Sequence, residues 1–183
     1  MIIDEVIERV KETAQIALGS GEPFHPMLNT IKNGKEHLVI IAPAFEDSEK
    51  DNIYSIMSVA ANLDEPEAII FTSDTRILRV GEDDSFMGID NPIDSPFAEN
   101  ALMILVVSED EVRTLLNIYA INDDGSITFR NEEEISSGWR SGELSDLLEA
   151  ALVLDKEGLE EDYGERLYGF MKAYGFDILV LEE

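Results

Sequence analysis

Two β-prone runs, Met27–Lys32 and Glu36–Ala42, flank the dipeptide Asn33-Gly34. Both central positions of a type I′ turn need positive φ, and asparagine and glycine reach it most readily, so the segment reads as a tight hairpin. A hairpin commits its two strands to antiparallel pairing. Any sheet built from this chain therefore grows around an antiparallel start.

The flanking segments fit that start. Ile3, Val6, Ile7, Val10, Ala14 and Ala17 recur at helical spacing, with Asp4 and Glu5 in the first turn, and Gly19–Pro23 ends the helix. Ser48 and Asp51 resemble an N-terminal capping pair for a second helix carrying Ile53, Ile56, Met57, Ala60 and Leu63, which Glu65-Pro66 terminates. Ala68–Thr72 is a β-branched and aromatic strand that continues toward Val80 after a break at Ser73-Asp74. Residues 81–99 carry no period of either kind, which makes them a long connection. Leu102–Val107, Val112–Ile121 and Ser126–Arg130 form a meander, turning at Ser108–Glu111 and at Asn122-Asp123-Asp124-Gly125. Helices are expected over Glu143–Leu154 and Leu159–Tyr174, the latter with Leu159, Tyr163, Leu167, Phe170, Met171 and Tyr174 on one side. Gly175 caps it, and Phe176–Leu181 reads as a buried closing strand. The expected class is α+β: one domain over residues 1–183, with a mixed, mostly antiparallel sheet of about six or seven strands and about four packed helices.

Charge narrows the partners. Forty acidic residues stand against 13 basic ones, for a net charge of −27. Such a surface repels nucleic-acid phosphates and anionic membranes, which argues against direct binding to either. At 44% hydrophobic residues the chain still has the apolar mass for a core, so the charge does not signal disorder. Without cysteine there is no disulfide framework or thiolate, and His25 and His37 alone leave a structural zinc site short of ligands. The start MIIDEVIERV lacks the basic and apolar regions of a secretory signal, so a cytoplasmic location is expected. Acidic clusters such as Glu46-Asp47-Ser48-Glu49, Glu82-Asp83-Asp84, Glu109-Asp110-Glu111 and Glu132-Glu133-Glu134 fall mostly at expected loops. They read as a solvated surface, or as an acidic face for a basic partner, with imitation of nucleic acid as one form of the latter.

The middle of the chain, residues 24–107, carries three short motifs in order: His25-Pro26, then Ile69-Ile70-Phe71-Thr72-Ser73-Asp74-Thr75-Arg76, then Ser95-Pro96-Phe97-Ala98-Glu99-Asn100-Ala101-Leu102. It resembles a family of uncharacterised bacterial and phage proteins in which a hydrophobic strand ends in Ser-Glu-x-Trp and a Pro-Ser…Pro…Glu-x-Leu loop opens the next strand. Asp74 stands at the family's glutamate and Arg76 at its tryptophan. The resemblance implies the order of elements and directs attention to residues 73–99. It implies no reaction.

Three sites follow from the residues themselves. Asp74 and Glu99, at the two ends of the long connection, would bind Mg²⁺ or Ca²⁺ if their carboxylates met, because hard cations take oxygen ligands. The ordinary alternative is a Ser73-Asp74 turn that satisfies local backbone groups. Within the connection, Phe86, Met87, Ile89, Pro92, Ile93, Pro96 and Phe97 are unusually apolar and suit a lid, a partner surface or a packed Ω-loop. Trp139-Arg140 pairs the only tryptophan with an arginine, two residue types favoured at interfaces, though a core tryptophan fits equally. The expected function is a noncatalytic acidic interaction protein, self-associating or bound to a basic protein. A divalent-metal enzyme using Asp74 and Glu99 is the alternative, and a nucleic-acid mimic the third reading.

Overall fold

The computed structural model describes residues 2–77, 98–135 and 143–181. In chain order the elements are α1 (Ile2–Gly19), β1 (Met27–Lys32), β2 (Lys35–Ile41), α2 (Lys50–Leu63), β3 (Ala68–Ile77), β4 (Glu99–Ser108), β5 (Val112–Ile121), β6 (Ile127–Ile135), α3 (Glu143–Val153), α4 (Tyr163–Tyr174) and β7 (Asp177–Val180), with a 3-10 turn at Asp47–Glu49 ahead of α2. The strands form one sheet in the order β6-β5-β4-β3-β1-β2-β7. Every neighbouring pair is antiparallel, so the sheet is not mixed.

The hairpin forms as its residues require, with φ of 52° at Asn33 and 67° at Gly34. Their amide N–H groups donate to the two oxygens of Glu67 at 3.0 and 3.1 Å, which ties the turn to the start of β3. Pairing along β1 and β2 slips by one residue: Thr30 faces Leu38 but Ile31 faces Glu36, leaving His37 as the extra residue of a β-bulge.

Both faces of the sheet are covered. Val6, Ile7, Val10 and Ala14 of α1 pack on Ile31, Val39, Ile70, Leu102, Ile104 and Leu115. On the other face α2, α3 and α4 bury Ile53, Met57, Leu148, Ala151 and Met171 against Leu28, Leu38, Ile40, Ile69, Phe71 and Leu105. The two central strands therefore read as continuous apolar runs, since both of their faces are inside. Helices α2 and α3 are also joined by polar contacts. Ser58 donates to the carbonyl of Leu147 at 2.9 Å, and the Asn62 amide reaches the carbonyls of Ala151 and Leu154 at 2.6 and 3.2 Å. These carbonyls at the end of α3 lack helical partners, so Asn62 acts as a cap supplied from a neighbouring helix.

Several expectations are corrected. Helix α2 is entered through the 3-10 turn, where the Glu49 carboxylate accepts the Glu46 N–H at 3.0 Å, rather than through a Ser48–Asp51 cap. Strand β3 runs through Ser73-Asp74 without a break. Strand β6 extends to Ile135, so Glu132-Glu133-Glu134 lies in a strand rather than a loop. An edge strand tolerates such a run, and Lys11 of α1 meets Glu132 at 3.0 Å. Helix α4 begins at Tyr163, after a left-handed Gly158, and only its Leu167–Tyr168–Met171 stripe faces the core, leaving Phe170 and Tyr174 outside. The run Phe176–Leu181 contains not a buried strand but the exposed edge β7.

Candidate interaction surface and polar sites

The Ser73-Asp74 pair is divided by strand alternation. Ser73 turns to the helical face, is almost fully buried, and hydrogen-bonds the Tyr54 hydroxyl. The Tyr54 ring meets Phe71 edge-on with centroids 4.9 Å apart, and burial pushes its hydroxyl up to about 12 although the Ser73 bond opposes the shift. These residues border an open cleft of about 750 Å³ whose walls include Lys50, Asp51, Met103 and Leu147.

Asp74 turns to the α1 face of the sheet, where its carboxylate accepts the Tyr119 hydroxyl at 2.7 Å. The residue keeps a solvent-exposed edge, yet the surrounding protein desolvates its carboxyl and raises its pKa, against the opposing bonds from Tyr119 and the Thr75 backbone. Tyr119 is pushed up as well, by burial first and then by the carboxylate beside it. A tyrosine held in its neutral form donates to the carboxylate, which ties β5 to β3 across β4. Nearby on this face, Thr72 Oγ1 and Asn117 Nδ2 are buried without a hydrogen-bond partner among the described residues.

Glu99 does not join Asp74. It lies opposite Ile77, whereas Asp74 lies opposite Leu102, three residues further along β4. An odd offset along a strand sends the two carboxylates to opposite faces of the sheet, so they cannot hold one ion. Among the described residues no group of three or more His, Asp or Glu side chains is arranged to bind a metal. The other expected contact residues, Phe86, Met87, Ile89, Ile93, Phe97, Trp139 and Arg140, lie outside the described residues.

A polar network that sequence reading missed occupies the corner between the hairpin and the end of α2. The bulge turns His37 to the same face as Leu38, where Nδ1 lies 2.6 Å from Asp64 Oδ1. Thr30 donates its hydroxyl to Asp64 Oδ2 at 2.5 Å and accepts the Leu38 N–H at 3.1 Å. Asp64 and Thr30 are both buried. A carboxylate at a helix C-terminus meets the negative end of the helix dipole. Lys32 and Lys156 relieve that end, donating to the carbonyls of Asp64 and Leu63 at 2.7 and 3.1 Å. The next residue, Glu65, holds the left-handed position with φ of 56°, where a glycine is usual. Every polar atom named here has an internal partner, and the network locks the hairpin to α2.

The remaining feature is an apolar edge. Strand β7 ends the sheet, and Leu179 and Val180 are 53% and 57% exposed. Beside it, Phe170 and Tyr174 of α4 stack with centroids 5.9 Å apart while largely open to solvent. The Tyr174 hydroxyl donates to Glu49 Oε1 at 3.0 Å, and Asp177 adds an exposed carboxylate. Glu49 is held below the usual carboxylate range, by the Glu46 N–H first and by Tyr174 second, so the aromatic pair is fixed against a charged acid.

These features define an acidic α+β protein with one antiparallel sheet between helical layers. Comparison with known protein families, with characterised proteins and with solved structures finds no match. No helix among the described residues is long and apolar enough to cross a membrane.

Proposed function

We propose that this protein is a noncatalytic protein-interaction module that binds a basic protein along its α4–β7 edge. The observation that carries the reading is that Phe170 and Tyr174 of α4 and both Val180 and Leu179 of the edge strand β7 are exposed, Val180 on the α4 face and Leu179 on the other. Clustered exposed apolar side chains usually mark contact surfaces, and aromatic residues are enriched in such contacts. The net charge of −27 selects the partner: a cationic protein is drawn in, while a second copy of the chain is repelled. The opposed placement of Asp74 and Glu99 withdraws support from a metal-dependent enzyme.

The test is site-specific photocrosslinking in cells that make the full chain. A photoreactive phenylalanine analogue replaces Phe170, or Thr128 as an exposed control on the opposite edge strand. A protein adduct formed at position 170 and not at 128, with the crosslinked peptide rich in Lys or Arg, supports the reading. Equal labelling at both positions, or adducts to acidic segments only, refutes it.

A further inference from the structure

We infer that the partner segment adds to the sheet as an eighth strand along the free edge of β7, and that this segment alternates apolar residues with Lys or Arg. The inference rests on the interaction reading above and specifies how the edge is used.

The register of β2 and β7 fixes which main-chain groups are free. Leu38 faces Val180, Val39 faces Leu179, Ile40 faces Ile178 and Ile41 faces Asp177. Beyond the last pair, the Leu181 N–H donates to the His37 carbonyl at 2.8 Å. In an antiparallel ladder, alternate residues point both main-chain groups at the partner strand, and the others point both away. Leu181, Leu179 and Asp177 therefore face β2. Ile178 and Val180 direct their N–H and C=O groups to the outer side, where no described residue pairs with them.

The two edges of the sheet are treated differently. The strand at the far edge, β6, carries Arg130, Glu132, Glu133 and Glu134, and its pairing with β5 is interrupted by a register shift at Ile118/Tyr119. Charges and bulges of this kind are how proteins stop strands from adding to an edge. In β7, Asp-Ile-Leu-Val contains no lysine, proline or bulge; Leu179 and Val180 are exposed and Ile178 is half-buried. The far edge thus carries four charged side chains and a bulge, whereas β7 has only its shortness and one carboxylate, Asp177, to guard it.

An added strand would meet two apolar surfaces. Ile178 and Val180 share the helical face with α4, while Leu179 points to the other face beside Val39. Apolar residues of the incoming segment thus suit the helical face, and the alternate Lys or Arg residues lie on the other face, where their stems meet Leu179 and their charges Asp177. Asp177 and the overall negative field give those alternate positions their preference for Lys or Arg. Strand addition draws affinity from main-chain bonds and specificity from alternate side chains.

The probe is a fluorescein-labelled peptide in which Lys and Val alternate, titrated against the full chain at low salt and followed by anisotropy. Three comparisons accompany it: the same peptide N-methylated at alternate amides, one alternating Glu with Val, and the chain variants Val180→Pro and Phe170→Ser. Because the Val180 N–H points outward, proline there removes a free donor and leaves the β2 bonds in place. Saturable binding of the Lys-Val peptide that weakens at least about tenfold on N-methylation and in Val180→Pro is the expected result. Binding that survives both but falls in Phe170→Ser overturns strand addition while leaving the interaction reading intact. Equal binding of the Glu-Val peptide, or no binding by any of them, overturns both. A change in the sedimentation of the unliganded protein in Val180→Pro would identify the occupant as a second copy and overturn the basic-partner assignment.

Discussion

Replacing Asp64 by alanine removes the acceptor shared by Thr30 and His37, and the geometry sets the size of the loss. Thr30 is fully buried, so its hydroxyl cannot turn to water and forfeits about 1–3 kcal/mol as an unsatisfied donor. His37 loses a bond to a charged group, which is discounted because its side chain is 30% exposed and can rehydrate; about 1 kcal/mol is reasonable. Against this, alanine removes a negative charge from the C-terminal end of α2, a gain of about 0.3–1 kcal/mol. The net loss is about 1–4 kcal/mol, or roughly 2–16 °C in Tm for a domain of this size. Urea melts with an unchanged slope would place the effect in the folded state. A double-mutant cycle with Thr30→Val should give a coupling of about 1–3 kcal/mol, because both substitutions remove the same bond. A single-site loss below about 1 kcal/mol, or additive effects of the two substitutions, would refute the claim that this network locks the hairpin to α2.

Other outcomes follow from individual residues. Asp74 has a raised folded-state pKa, so its contribution to stability is fully present below its unfolded value and is lost as pH rises through the folded value. Asp74→Asn, which can still accept the Tyr119 hydroxyl, should therefore be more stable than the natural protein at neutral pH, with the difference closing below about pH 3 in urea melts. Glu65→Gly should stabilise by about 1 kcal/mol in chemical denaturation by relieving the left-handed backbone, while Gly34→Ala should cost about as much. Phe71→Ala removes a fully buried ring packed on Tyr54 and should cost about 3–5 kcal/mol, seen as a lower urea midpoint.

The parts of this fold that are legible in the sequence are those decided by neighbouring residues. Asn33-Gly34 specifies its own turn, and the stripe from Val6 to Ala14 marks the buried side of α1, because both signals act within a few residues. The element order follows from such local signals. The position of an element in the sheet does not. Phe176–Leu181 looks like any buried apolar strand, and only the sheet order places β7 at an edge. Phe170 and Tyr174 are helix residues of the right spacing, but the packing angle of α4 leaves them facing outward. The Asp64 network joins residues 34 and 27 positions apart, a separation that carries no local trace. Ser73-Asp74 marks a real boundary near the end of a buried run, yet adjacency in sequence is what separates the two side chains onto opposite faces in a strand.

Charge and the open edge are best understood together. An unprotected apolar strand edge is ordinarily a template for pairing with another copy of the same chain. Two edges that pair approach to about 4.8 Å, well inside the screening length of about 8 Å at physiological salt, so like charges carried near them are felt during association. With −27 spread over 183 residues, a second copy meets a repulsive field wherever it arrives. The field therefore substitutes for the lysine, proline or bulge that β7 lacks, and it does so without blocking the edge to a segment of opposite charge. A steric guard would exclude every strand alike, whereas a guard made of charge sorts strands by sign. If β7 takes an added strand as proposed, the acidity of the chain and the exposure of β7 serve one recognition event: the first keeps the edge free of its own kind, and the second leaves main-chain donors and acceptors ready for a cationic strand.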